Sequence, residues 1–211
     1  MNTCRHRDPH TALLGVLLVG VALTVGCGDI PGDADDTGSI MKAIVTPYYQ
    51  EDQETKQVDV FRAKCDNGKD EYYSDHLAKI GFINQALPNS EEETGTSVTV
   101  HSYRIKYEAV SPQDAPDLDP VLDPPLMHSV VIPQCKAGTL DCTPTEYDRF
   151  TFVDVGKKTE YVSKGGLGFE QTTYNIFYTF YGENDFGEEL TFGSSSNFVM
   201  GNYDYCAQEQ G

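Results

Sequence analysis

The side chains that could do chemistry in this chain are six cysteines, five histidines and a large excess of carboxylates, 33 against 15 lysines and arginines. Cys65, Cys135, Cys142 and Cys206 lie in the body of the sequence. An even set of this kind forms disulfides outside the cytoplasm. Three pairings are open. Cys135 and Cys142 flank a short stretch through Ala137-Gly138, which favours that pair and leaves Cys65 for Cys206. By loop length the second bridge contributes more, about 5 kcal/mol against about 2.5. Zinc and iron–sulfur sites ask for C-x-x-C pairs, and the chain has none. No metal or cofactor is expected.

The remaining candidates are weaker. His76, His101 and His128 fall on separate predicted elements, where a histidine usually serves the strand it sits in. Ser194, Ser195 and Ser196 follow Gly193 and read as a turn, with no G-x-S-x-G elbow for a hydrolase. Gly165-Gly166-Leu167-Gly168 falls between strands, without the helix that would cradle a phosphate. Asp33, Asp35, Thr37 and Gly38 begin like a calcium loop, but its twelfth position is Ile44, where a glutamate is required. Asp114, Asp117, Asp119 and Asp123 lie in residues 111–125 (SPQDAPDLDPVLDPP), whose five prolines exclude a central strand or a helix. That segment is expected to be an extended, solvated loop, which would also suit a docking partner. No catalytic set emerges, and the expectation is a protein that is not an enzyme.

Cys27 offers a different chemistry. Arg5 and Arg7 precede an uncharged run from Thr11 to Val25, then Gly26 and Cys27. The run is short of the ~20 residues that span a bilayer, and it ends on a small residue as a cleaved segment does. Leu23-Thr24-Val25-Gly26-Cys27 resembles a bacterial lipobox, departing from the pattern at Thr24, where leucine is usual. The resemblance implies that residues 1–26 are removed and Cys27 becomes a lipidated N-terminus. Two or more acyl chains anchor stably where one does not. Gly28 follows, and aspartate comes only at Asp29, so the outer membrane is favoured over the inner.

These groups must be positioned by strands. Tyrosine (13), phenylalanine (10), threonine and valine dominate the apolar stretches, a strand composition. Strands are expected at 42–49, 57–65, 77–86, 97–110, 128–133, 147–155, 172–181 and 189–200. Tyr103, Ile105 and Tyr107 alternate with Arg104, Lys106 and Glu108, and Tyr174, Ile176, Tyr178 and Phe180 repeat the pattern. A turn of helix is allowed at 70–76, and no long amphipathic helix is seen. Short strands with frequent turn signals predict an all-β, antiparallel β-sandwich. The division expected is a signal peptide at 1–26, a lipidated Gly/Asp/Pro-rich tether at 27–41 and one sandwich domain at 42–211. Net charge is −18, which repels nucleic acid.

Four segments carry a further resemblance: SDHLAKI at 74–80, VTVHSYRIKY at 98–107, SVVIP at 129–133 and TFYGENDFG at 179–187. In this order they resemble a group of uncharacterised Gram-negative lipoproteins with an immunoglobulin-like sandwich, over about residues 70–200. The four body cysteines and the acidic proline-rich insert depart from that group. The resemblance implies an immunoglobulin-like fold and no activity. The expected function is a cell-envelope binding or accessory subunit with a protein partner, Cys27 as anchor and four cysteines as struts. The alternative is a lipoprotein that binds Ca²⁺ or a small ligand.

Overall fold

A computed structural model describes residues 39–49, 53–65, 68, 70–71, 73–86, 96–122, 124–136, 142–203 and 206. Among them are β1 (Ser39–Tyr49), β2 (Gln53–Glu54), β3 (Gln57–Asp59), β4 (His76–Ala86), β5 (Val98–Ser111), β6 (Pro125–Ile132), β7 (Gln134–Cys135), β8 (Thr145–Val153), α1 (Val155–Ser163), β9 (Gln171–Asn184) and β10 (Glu189–Gly201). Alternation in sequence becomes alternation in burial. Every second residue of β4 from His76 to Ala86 is buried, and in β9 the same holds from Thr172 to Asn184.

Two five-stranded sheets result. One runs β2-β1-β4-β7 with β8 also paired to β4, and the other runs β3-β10-β9-β5-β6. Their apolar faces share one core. Phe82 of β4 meets Phe180 of β9 and Phe192 of β10 edge-on, at ring separations of 5.1 and 6.0 Å. Phe150 and Phe152 of β8 meet Tyr178 and Phe198 in the same way. Edge-to-face pairs add about 0.5–1.5 kcal/mol each beyond the area they bury. These contacts are what bind one sheet to the other.

Most pairing is antiparallel, but the expected all-antiparallel arrangement does not hold. β3 runs parallel to β10, and β7 runs parallel to β4. Both exceptions arise where the chain changes sheets. After β2 it leaves the first sheet, and β3 lies along the end of β10. After β6 it passes Pro133, which has no N–H to continue a ladder, and the next two residues join β4 in the opposite sheet. The strand expected over 57–65 therefore stops at Asp59, and β1 begins at Ser39, inside the segment expected to be tether.

The helix was not expected where it occurs. Among the described residues of 70–76 no helix forms, and α1 takes the place of the end of the predicted strand 147–155. Asp154 caps it, its Oδ1 accepting from the Lys157 N–H at 2.6 Å, while Asp75 Oδ1 accepts from the Val155 N–H at 2.8 Å. Gly165 ends it at φ 90°, its N–H donating to Val162 O at 3.1 Å. The glycines at 165–168 thus follow a helix rather than lying between strands. Gly166 passes so close to the Tyr161 ring that no Cβ would fit. Lys158 and Tyr161, three residues apart, form the buried face of α1.

Two disulfides close the frame. Cys65 is joined to Cys206 and Cys135 to Cys142, with Cα separations of 5.6 and 5.8 Å. These are the two pairs favoured by spacing. No helix among the described residues is long and apolar enough to cross a membrane.

Candidate functional site

Several residues singled out in the sequence prove to be structural. Cys27, Asp33, Asp35, Thr37, Gly38 and Asp123 lie outside the described residues. The rest of the acidic insert is fastened down rather than solvated throughout. Ala115, Pro116 and Leu118 are buried. Tyr174 donates its hydroxyl to Pro116 O at 2.6 Å. Lys164 Nζ donates to Asp117 O at 2.8 Å and to Asp119 Oδ1 at 3.1 Å, and the Asp119 N–H donates to Glu160 Oε1 at 2.6 Å. The carboxylate of Asp119 already has a cationic partner. Among the described residues no three His, Cys, Asp or Glu side chains gather to hold a metal ion.

Ser194–Ser196 are not a turn but the middle of β10, paired across to β9. Ser194 points between the sheets and donates to Ala43 O at 2.7 Å. The three histidines have three roles. His128 lies against the Tyr147 ring at 4.8 Å. His76 is fully buried, its Nε2 3.0 Å from Thr55 O, the geometry of an N–H donating to a carbonyl. His101 is exposed and sits where the ladder between β5 and β9 is broken; the same ladder shifts again between Ala109 and Ser111.

That break is a bulge. Val100 pairs with Gly182 and Ser102 with Tyr181, so β5 carries one residue more than β9, and the extra residue is His101. The two backbones come so close that a Cβ on Gly182 would lie 2.6 Å from Thr99 O. Only glycine allows the approach. Around the bulge is a cavity of about 310 Å³. His101, Ser102 and Arg104 line it from β5, Tyr181 from β9, and Glu189 and Thr191 from β10. His101 Nδ1 and Ser102 Oγ are 3.0 Å apart, and the Arg104 guanidinium carbon is 6.0 Å from the Tyr181 ring centroid. A Ser–His pair works as nucleophile and base when a third group orients the imidazole. Here His101 bonds to its own chain neighbour through Nδ1, and no hydrogen bond among the described residues orients Nε2. The arrangement sets hydrogen-bonding groups from three strands around one recess.

A second cluster is charged but sealed. Asp59, Glu71, His76 and Lys158 are all buried, and Lys158 shows no exposed surface. The Lys158 ammonium lies 4.7 Å from the centroid of Tyr73, and the Arg62 guanidinium carbon lies 4.5 Å from the same centroid. Asp59 Oδ1 accepts the N–H groups of Tyr203 (3.0 Å) and Phe61 (3.3 Å), and Glu71 Oε2 accepts that of Ala63 (3.3 Å). Burial drives the Lys158 pKa down to about 8, against the opposing pull of the Asp59, Asp75 and Glu71 carboxylates. Burial also lowers His76 to about 4 and raises Asp59. Shifts of this kind often mark active sites. Lys158 and His76 are both at 0% exposure, and the attraction of Lys158 to Asp59 and Glu71 ties α1 to β3 and to the segment between β3 and β4.

Sequence reasoning missed the bulge and the buried cluster. Gly182 inside a strand pattern was the signal for the first. No family model, no curated protein and no solved structure matches this chain.

Proposed function

We propose that this chain is a non-enzymatic, lipid-anchored binding subunit of a bacterial cell envelope, held at Cys27 in the outer membrane and working beside a protein partner. One observation supports the binding role: the bulge at His101 opens the outer face of a sheet into a cavity lined by Arg104, Tyr181, Glu189 and two hydroxyl residues. Rigid strands hold these groups in place before any ligand arrives, which lowers the cost of binding. The order basic start, uncharged run, glycine, Cys27 supports the anchor. Two sheets packed face to face through aromatic pairs support an immunoglobulin-like reading of the fold, with the two parallel pairs as additions at the sheet margins.

The test is in two parts. Cys27→Ser should move the protein from the membrane fraction to the soluble extract; a variant that stays with the membrane refutes the anchor. Cross-linking in cells, with recovery through a C-terminal tag, should give one stoichiometric envelope partner. Recovery of the protein alone removes the accessory role.

A further inference from the structure

The cavity at the β5 bulge has a lining that narrows its ligand. Arg104 and Glu189 bring one charge of each sign, and His101 adds an imidazole. In a chain of net charge −18 this is a locally balanced site, built neither to trap an anion nor to trap a cation. Guanidinium, carboxylate and imidazole are planar groups that each offer more than one hydrogen-bonding position, and Ser102 and Thr191 add hydroxyls that donate and accept. Such a density of donors and acceptors matches a molecule bearing hydroxyls on adjacent carbons. The apolar part of the lining is the Tyr181 ring, since Leu190 turns its side chain to the core. A tyrosine ring with a polar tip is the surface on which the C–H face of a sugar ring lies while its hydroxyls bond at the rim. The volume, about 310 Å³, stands at the lower end of small-molecule sites and has room for one or two sugar rings.

We propose, resting on the binding role above, that this cavity holds a neutral saccharide, stacked on Tyr181 and hydrogen-bonded by Arg104, Glu189, His101, Ser102 and Thr191. The site is pinned by the bulge and by Gly182, so it is present before binding.

The experiment uses the full lipidated chain in detergent, its disulfides intact. Saturation-transfer NMR is run with glucose, galactose, N-acetylglucosamine, maltose and N,N′-diacetylchitobiose, with glutamate and inorganic phosphate as charged controls. At least one sugar should receive saturation, and titration should give an affinity that falls at least ten-fold in Tyr181→Ala and in Glu189→Gln. Glu189 is an exposed surface residue, so the second variant keeps the fold. Phe186→Ser, in the hairpin after β9 and 75% exposed, should leave binding unchanged. No transfer to any sugar, transfer to glutamate or phosphate instead, or equal affinity in Glu189→Gln overturns the proposal. The two proposals fail separately. A cross-linked partner lost in Tyr181→Ala, with no sugar bound, keeps the binding subunit and removes the saccharide.

Discussion

His76 should make this fold sensitive to acid in a way that can be isolated. It is fully buried, its ring 5.8 Å from Phe152, and its Nε2–H is committed to Thr55 O. Protonating it would place a charge where water cannot follow, with the Lys158 charge adding repulsion. The folded pKa is therefore depressed from 6.5 to about 4. The unfolded chain takes up the proton first as pH falls, so the contribution of neutral His76 is complete above about pH 6.5 and is gone once pH drops below about 4. At 1.36 kcal/mol per pH unit the loss is about 3 kcal/mol, a large share of an ordinary domain's stability. Urea unfolding at pH 7, 5.5 and 4 reads it out, followed by tyrosine fluorescence because the chain has 13 tyrosines and no tryptophan. Asp59 and Glu160 also titrate in acid, with opposite shifts, so the wild type alone is not decisive. His76→Gln keeps an N–H for Thr55 O and cannot be charged. Between pH 7 and 4 the wild type should lose about 3 kcal/mol more than the variant. Parallel pH dependences in the two proteins would refute the assignment.

Two more outcomes follow from the same structure. Lys158 acts with the same sign in an alkaline window, because its folded pKa, about 8, lies below the free value of 10.5. The folded state gains as pH rises between the two, so from pH 8 to 9.5 stability should change by about 1.5 kcal/mol more favourably than in a variant without this ammonium, a comparison that cancels the ionisation of unfolded tyrosines beginning in the same range. Lys158→Met is that variant, and equal pH dependences of the two proteins in the same urea assay would refute the assignment. Replacing Cys65 and Cys206 by serine should cost about 2–5 kcal/mol and lower the melting temperature more than replacing Cys135 and Cys142, because the first bridge closes a sequence separation of 141 against 7.

Much of the sheet framework was legible because it is written in local pattern. Tyr174, Ile176, Tyr178 and Phe180 announce β9 and its buried face, and the cysteine pairing followed from loop length. The helix was hidden by its composition. Val155, Gly156, Thr159 and Val162 are poor helix formers, and the pair Lys157-Lys158 looks like a solvated surface. Yet Asp154 as a cap and Gly165 past the end were readable marks of its limits. β2 and β7, two residues each, are set by tertiary contact alone. Asp59, Glu71, His76 and Lys158 come from three distant segments, and burial of charge runs against every compositional expectation. The candidate cavity depends on one extra residue in β5, whose trace in the sequence is a change of phase in the inward residues, from Val98 and Val100 to Tyr103, Ile105 and Tyr107.

The pairing of β3 with β10 carries a consequence for how the chain is made. Val58 lies opposite Met200, and Val60 donates its N–H to Gly201 O at 3.1 Å. Sheet order β3-β10-β9-β5-β6 therefore cannot be completed by any nascent fragment, since its third-numbered strand waits for its last. Contacts this remote in sequence form late and close slowly. A polypeptide emerging end first, from a ribosome or across a membrane, must remain open until residue 201 has arrived. Only then does Cys206 meet Cys65, so oxidation seals a sheet that vectorial delivery has already finished.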